Sequence, residues 1–344
     1  MIQIYNIEQA QKWNEIVKSF SDYDVYYLSG YVKAFEIHGD GNPYLLYYEE
    51  NGIRAIYVFM KRTTDISGIF DAITPYGYGG VLFEGDITKN NLNIFWKAYT
   101  DTMLKMSIIN NFVRYHPILS NALPMKNISS VIDLGKTIAI DLTSPEIIWE
   151  NIHSKNRNMI RKAEKNGIEI HHGKGMRLFP YFRMLYDETM KKNNAERYYF
   201  FEDAFYESIH NDLKDNYEIF WATYDKRIVA VSIVIFANDR LNYHLSGSDP
   251  AYRNLAPSNL LLYKSALWGY EQGMKTFHLG GGIGSDEDNL FKFKKAFNKK
   301  NDYQFSIGKE IFDQEKYDEL VKLRIASDPN FNKESNFFPL YRAL

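Results

Sequence analysis

The chain has 344 residues, 45% hydrophobic and 24% charged, the balance of a folded globular protein and enough for two domains of about 150–200 residues. Its formal net charge of −2 excludes a whole-protein field drawing it to nucleic acid or an anionic membrane, so such contacts must come from a local patch. The absence of cysteine excludes a disulfide framework, a Cys-ligated zinc site and a thioester relay on a Cys nucleophile.

Met1 to Tyr5 lack a basic region followed by an apolar run, and no stretch approaches about 20 uninterrupted apolar residues. Neither a signal peptide nor an integral membrane segment is expected, and the expected location is cytoplasmic. Residues 8–20 and 29–38 read as short helices, the first with Trp13, Ile16, Val17 and Phe20 near helical spacing. The apolar runs Tyr44–Tyr48 and Ile53–Met60 flank Asn51-Gly52, a strong type I′ hairpin signal. A third strand near Gly68–Ile73 leads into Pro75-Tyr76-Gly77-Tyr78-Gly79-Gly80, followed by a helix over 88–109 and strands near 111–115 and 137–142. Thr143-Ser144-Pro145 marks a boundary, with proline in the first turn of the next helix. A basic helix over 154–166 ends at Asn166-Gly167, and strand 168–172 and helices over 178–192 and 202–213 follow. A second hairpin pairs Tyr217–Tyr224 with Val229–Phe236. Strand Leu241–Ser246, helix 257–272, strand 275–279, a short helix 288–297 and strand 303–307 complete the pattern.

Both halves therefore read as a helix pair, a hairpin, a third strand, a glycine-containing loop and a long helix. This predicts an α/β (α+β) protein of two lobes, 1–143 and 144–344, with the default binding site in a cleft between them. Tyr76 and Tyr78, between glycines, and Tyr243 are expected to line that cleft, the alternative for the first two being a plain aromatic turn. The 27 Tyr and 23 Phe fit either aromatic cores or a groove for a large polar ligand.

Three stretches carry possible chemistry. Arg157, Arg161 and Lys165 follow i, i+4, i+8 on one helix face, a stripe suited to phosphate or simply to solvent. Arg253 stands just before the helix start at Pro257-Ser258, where free backbone N–H groups attract anions. An ordinary helix start after a polar loop is the alternative. Gly280-Gly281-Gly282 either let backbone approach a ligand or make a tight turn, ahead of a helix in which aromatic and basic faces alternate. His244, with an ordinary pKa of about 6.5, suits accepting an amine proton and would share a polar strand face with Asn242 and Ser246, unless it is a structural histidine. His171-His172, adjacent on a strand, point to opposite faces and are not expected to share a metal. No metal site, NTPase phosphate loop or nucleophile elbow is expected.

Taken together, the basic helix ending Lys165-Asn166-Gly167, the Ala256-Pro257 helix start, the strand–glycine segment and Phe291-Lys292-Phe293-Lys294-Lys295-Ala296-Phe297 resemble the Fem ligases and the related BioF2-like acetyltransferases. These belong to the GNAT superfamily, and the resemblance is strongest over about 150–310. It implies two tandem GNAT-like lobes, each a mixed, mainly antiparallel sheet flanked by helices, in a compact form without the coiled-coil arm. It implies N-acyl transfer to a primary amine of a nucleotide- or lipid-linked cell-envelope precursor, a peptidoglycan stem peptide or an amino sugar. Lys294 would face the developing negative charge. Arg157, Arg161 and Lys33, within Ser29-Gly30-Tyr31-Val32-Lys33, would hold acceptor phosphates, and Arg253, Ser258 and Gly281 the donor. No permanently bound cofactor is expected. The donor is aminoacyl-tRNA, through its acceptor end, or acyl-CoA. The stretch Arg253-Asn254-Leu255-Ala256-Pro257-Ser258 lacks both glycines of the usual CoA loop and one N–H at Pro257, which favours the tRNA. A catalytically inactive binding module of the same fold is the alternative of another class.

Overall fold

The computed structural model describes residues 1–300 and 302–343. In chain order its elements are β1 (Ile2–Asn6), α1 (Ala10–Lys18), α2 (Ser29–His38), β2 (Asn42–Glu50), β3 (Ile53–Thr63), β4 (Phe70–Ile73), β5 (Leu82–Gly85), α3 (Lys89–Lys105), β6 (Ile108–Arg114) and α4 (Ala122–Met125). There follow β7 (Val131–Asp141), α5 (Pro145–Asn151), α6 (Ser154–Lys165), β8 (Glu169–Gly173), α7 (Phe179–Lys192), α8 (Asp203–Asp212), β9 (Tyr217–Tyr224), β10 (Arg227–Ala237) and β11 (Arg240–Ser248). Last come α9 (Pro257–Glu271), β12 (Thr276–Gly280), α10 (Asn289–Lys295), β13 (Tyr303–Ile311) and α11 (Gln314–Ser327).

Both expected hairpin turns form. Asn51 and Gly52 take φ of 53° and 76°, and Asp225 and Lys226 take 46° and 63°, the paired left-handed geometry of a type I′ turn. Asn238 and Asp239 repeat it between β10 and β11, at 46° and 65°. The helix expected over 88–109 ends at Lys105 instead. Ser107 turns left-handed (φ 58°) and the apolar run from Ile108 continues as β6, because a short buried run reads alike as helix or strand.

The chain divides into two compact units, Gly135–Gln304 and the remainder. This differs from the expected boundary at 143/144 and from a second lobe running to the C-terminus. Residues from Phe305 on belong to the first unit because Ile307–Ile311 of β13 pair antiparallel with Asn110–Arg114 of β6. The C-terminal segment is tied there as well. The buried Asp71 carboxylate on β4 accepts hydrogen bonds from Arg62 Nε (2.7 Å), Tyr341 Oη (2.8 Å) and Arg342 Nε (2.5 Å).

In the first unit the strands run β1-β2-β3-β4-β6-β13, with β5 also on β3, and only β4–β6 is parallel. In the second they run β7-β12-β11-β10-β9-β8, and only β11–β12 is parallel. Both sheets are thus mixed, mainly antiparallel and flanked by helices. Each unit buries its own core, around Tyr57, Phe95 and Tyr99 in the first and around Leu241, Leu262 and Phe277 in the second. Among the described residues the longest helix is α3, with 17 residues, so there is no coiled-coil arm, and no helix is long and apolar enough to cross a membrane.

Candidate active site

In the second unit β11 and β12 pair in parallel only over Arg240–Asn242 and Thr276–His278. They then part: β11 stays with β10 as far as Ser248, while β12 ends at Gly280. Helix α9 joins them, so the parting strands and the start of α9 lie at the same end of the parallel pair.

Lys294 and Gly281 meet at this end. The buried Lys294 donates from Nζ to the Gly281 carbonyl at 2.7 Å. Burial lowers its pKa to about 8, partly offset by the Asp288 carboxylate, so the ammonium is still the main form at neutral pH. Asp288 also caps α10 through the Phe291 N–H (2.8 Å) and holds the Ile283 N–H (3.3 Å), fixing the loop that carries Gly281. A Cβ on Gly282 would lie 2.1 Å from the Asp286 carbonyl oxygen, so this close approach requires glycine.

His244 lies on β11, where the register slips: Ile233 faces Leu245 and Val234 faces Tyr243, leaving His244 as the extra residue of a bulge. The bulge breaks the strict alternation behind a shared face with Asn242 and Ser246. The expectation of a base titrating near neutrality is also corrected. Desolvation lowers the His244 pKa to about 3, so the imidazole is neutral and a weak base. The neighbouring Tyr243 is half-buried, its hydroxyl pushed up to about 12 by burial, and its ring meets Phe277 edge-on at 6.5 Å.

Arg253 is exposed on the turn Pro250–Leu255, and Ser258 is half-buried in the first turn of α9. Ala256, left-handed at φ 58°, precedes that helix without a capping side chain, and the start of α6 at His153 lacks one too. Both helix starts open on a cavity of ≈ 580 Å³ within this unit. Asn156 and Asn259 line it together with Met159 and Phe291, and its charged residues are of both signs: Lys155, Lys292 and Lys295 beside Glu287 and Asp302. Neither Lys294 nor the arginine stripe lines it, because α10 turns Lys292 and Lys295 inward and α6 turns Lys155 and Met159 inward. Arg157 and Arg161 instead stand over the Trp149 ring, at 5.9 and 5.0 Å. Two of the three cations of the stripe thus share one aromatic neighbour, while Arg161 and Lys165 remain exposed.

The remaining expected site residues belong to the first unit. Lys33 is half-buried on α2. Tyr76 stacks on Phe35 (5.6 Å) and accepts from the Tyr31 hydroxyl through its carbonyl (2.5 Å), while Tyr78 packs edge-on against Tyr26 (5.8 Å). His171 and His172 reach different partners, Thr223 Oγ1 and Glu218 Oε1, both at 2.9 Å. Sequence reasoning missed the amide pair Asn156–Asn259, whose only linear signal is that each falls in the first turn of a helix lacking a cap.

Residues 153–295 match the family model of the acetyltransferase (GNAT) domain. No curated protein matches the chain. Among solved structures it resembles FemX, with a TM-score of 0.71 at 14% identity, covering 92% of this chain and 99% of that one. It also resembles the C-terminal domain of a putative lysylphosphatidylglycerol synthetase from Agrobacterium fabrum (TM-score 0.56, 15% identity, 89% and 92% covered). The L-PGS of Bacillus licheniformis gives 0.56 at 12%, with 91% and 95% covered. At these identities the likeness is one of fold. Residues 153–295 thus match a GNAT acetyltransferase domain, set in a chain whose fold is like that of FemX.

Proposed function

We propose that this acyltransferase joins an acyl or aminoacyl group to a primary amine of a cell-envelope precursor in the cytoplasm, with aminoacyl-tRNA as donor. The precursor is a peptidoglycan stem peptide or an amino sugar, linked to a nucleotide or a lipid. The observation that carries the reading is Lys294, a buried cation fixed by Gly281 where β11 and β12 part. The acceptor nitrogen attacks the donor carbonyl carbon, the C–N bond forms and the π pair moves to oxygen. Collapse of the tetrahedral adduct breaks the bond to the leaving oxygen or sulfur, which takes up the proton that the amine gives up. Lys294 stabilises the oxyanion in a site screened from water. His244, neutral, serves as a hydrogen-bond acceptor for the incoming amine rather than as its final proton sink. No covalent enzyme intermediate is needed, consistent with a chain without cysteine.

Arg253, Ser258 and the start of α9 hold the donor, while Arg157 and Arg161 hold acceptor phosphates. Pro257 and the missing glycines weaken a backbone cradle for pyrophosphate, which favours tRNA over CoA. The name of lysylphosphatidylglycerol synthetase, an aminoacyl group on a lipid, agrees with an aminoacyl donor and an envelope acceptor. Acetyl-CoA is the second reading, favoured by the acetyltransferase model itself. Incubating the protein with each donor and a panel of amine acceptors, then weighing the acceptors by mass spectrometry, tests both. An aminoacyl increment supports the first reading, an acetyl increment from acetyl-CoA and none from aminoacyl-tRNA supports the second, and no increment with either defeats the proposal.

A further inference from the structure

Helix α10 joins the buried lysine of the candidate site to an aspartate at its own start. Phe291 and Lys294 stand three apart and share the buried face, which carries the lysine into the interior. Lys292 is exposed, and Lys295 is paired with Asp302 at 3.4 Å. Asp288 caps the helix, and its two carboxylate oxygens divide between two segments. Oδ1 accepts from the Phe291 N–H (2.8 Å) and Oδ2 from the Ile283 N–H (3.3 Å). The carboxylate also packs on the Gly282 backbone, where a Cβ would lie 2.5 Å from Oδ1. Segment 281–283, whose Gly281 carbonyl accepts from Lys294 Nζ, is thereby tied to the start of the helix that carries Lys294.

Other charged groups stand on the elements around this lysine: His153 and Lys155 at the start of α6, Lys136 on β7, Glu287 ahead of α10, and Lys292 and Lys295 on α10 itself. Among the described residues, Asp288 is the one whose charge bears on Lys294, opposing the burial that favours the neutral amine. We infer that Asp288 is the positioning residue of Lys294, its carboxylate holding the segment that fixes the ammonium and facing that ammonium with the opposite charge. The inference rests on the reading of Lys294 as the cation at the oxyanion. Without the Asp288 charge, burial acts unopposed and moves Lys294 toward the amine, which no longer offers a full positive charge to an oxyanion.

Asparagine and alanine at position 288 separate the charge from the cap. Asparagine keeps an oxygen for the Phe291 N–H and caps a helix as well as aspartate does, whereas alanine removes cap and charge together. Lys294 is titrated in the full chain by NMR with isotope-labelled lysine, its signal identified by its loss in Lys294→Met. The wild-type midpoint is expected at about 8, and it should lie lower in both variants, in Asp288→Asn without loss of thermal stability. A midpoint in Asp288→Asn equal to wild type would overturn the inference, and so would one lowered in Asp288→Ala alone, which leaves Asp288 a helix cap and nothing more. The titration needs no substrate, so it decides the matter whichever donor the protein accepts. In acyl transfer to an amine, Asp288→Asn should be about 10-fold slower at about pH 8, with an alkaline decline that begins at lower pH than in wild type. An unmoved decline would also overturn the inference. Should Lys294→Met transfer at the wild-type rate while Asp288→Asn still lowers the Lys294 midpoint, the role of Lys294 at the carbonyl fails and the link between the two residues stands.

Discussion

Replacing Glu310 by glutamine should flatten the fall in stability that the protein shows as pH rises. Glu310 is buried in the first unit, where Oε2 accepts from the Tyr99 hydroxyl (2.7 Å) and from Asn111 Nδ2 (2.9 Å), while Oε1 has no partner among the described residues. Desolvation raises its pKa from 4.5 to about 7, against the lowering effect of those two hydrogen bonds. The folded chain therefore keeps a proton that the unfolded chain releases. The stability this contributes is complete below pH 4.5 and is lost as pH rises through about 7. At about 1.36 kcal/mol per tenfold change in affinity, the whole effect is about 3 kcal/mol, of which about 2 kcal/mol falls between about pH 5.5 and about pH 8. Glutamine stays neutral throughout and can still accept both bonds. Urea unfolding of wild type and Glu310→Gln at both pH values should show the variant gaining about 2 kcal/mol on wild type at the higher pH. A stability difference that is the same at both pH values would refute the argument.

The other expectations concern single contacts. Asp24 Oδ2 meets His116 Nε2 at 2.9 Å and its Oδ1 accepts from the Val25 N–H at 2.6 Å, while the Leu119 N–H donates to His116 Nδ1 at 3.4 Å. Asp24→Ala, which removes the acceptor of both buried contacts, should cost about 2 kcal/mol or more in urea unfolding. A Cβ on Gly247 of β11 would lie 2.5 Å from the Leu185 backbone on α7, so Gly247→Ala should cost about 1–3 kcal/mol, while Gly173→Ala, with no neighbour closer than 3.8 Å, should be nearly neutral; thermal unfolding of the pair checks this. Arg157→Ala and Arg161→Ala should each weaken calorimetric binding of a nucleotide-linked acceptor about 10-fold and reduce its salt dependence, since a charge-assisted bond contributes about 1.5–3 kcal/mol.

Much of this was legible in the sequence where local chemistry decides the outcome. Asn51-Gly52 predicts its turn because few residues tolerate two successive left-handed positions. Asp225-Lys226 adopts the same turn without glycine, and there the apolar runs on either side gave the signal. Long-range pairing was not legible. β13 looks like the closing strand of the second lobe, yet its partner β6 lies nearly two hundred residues earlier, and no periodicity encodes that choice. Lys294 and Gly281 could be named because each stands in a dense motif, and the fold brings them together. The pKa of His244 was read wrongly because desolvation belongs to the tertiary surroundings, and the bulge that places it is invisible in strict alternation.

The rate of acyl transfer to an amine acceptor, followed from about pH 6 to about pH 9 in wild type and in Lys294→Met, tests the central claim most directly. Methionine keeps the length of the buried side chain and removes its charge. The wild-type rate should decline above about pH 8 as the Lys294 ammonium is lost, and the variant should be slower by about 10²–10³-fold at neutral pH without that decline. A folded variant within a few-fold of wild type, or one that keeps the same alkaline decline, would contradict a role for Lys294 at the reacting carbonyl.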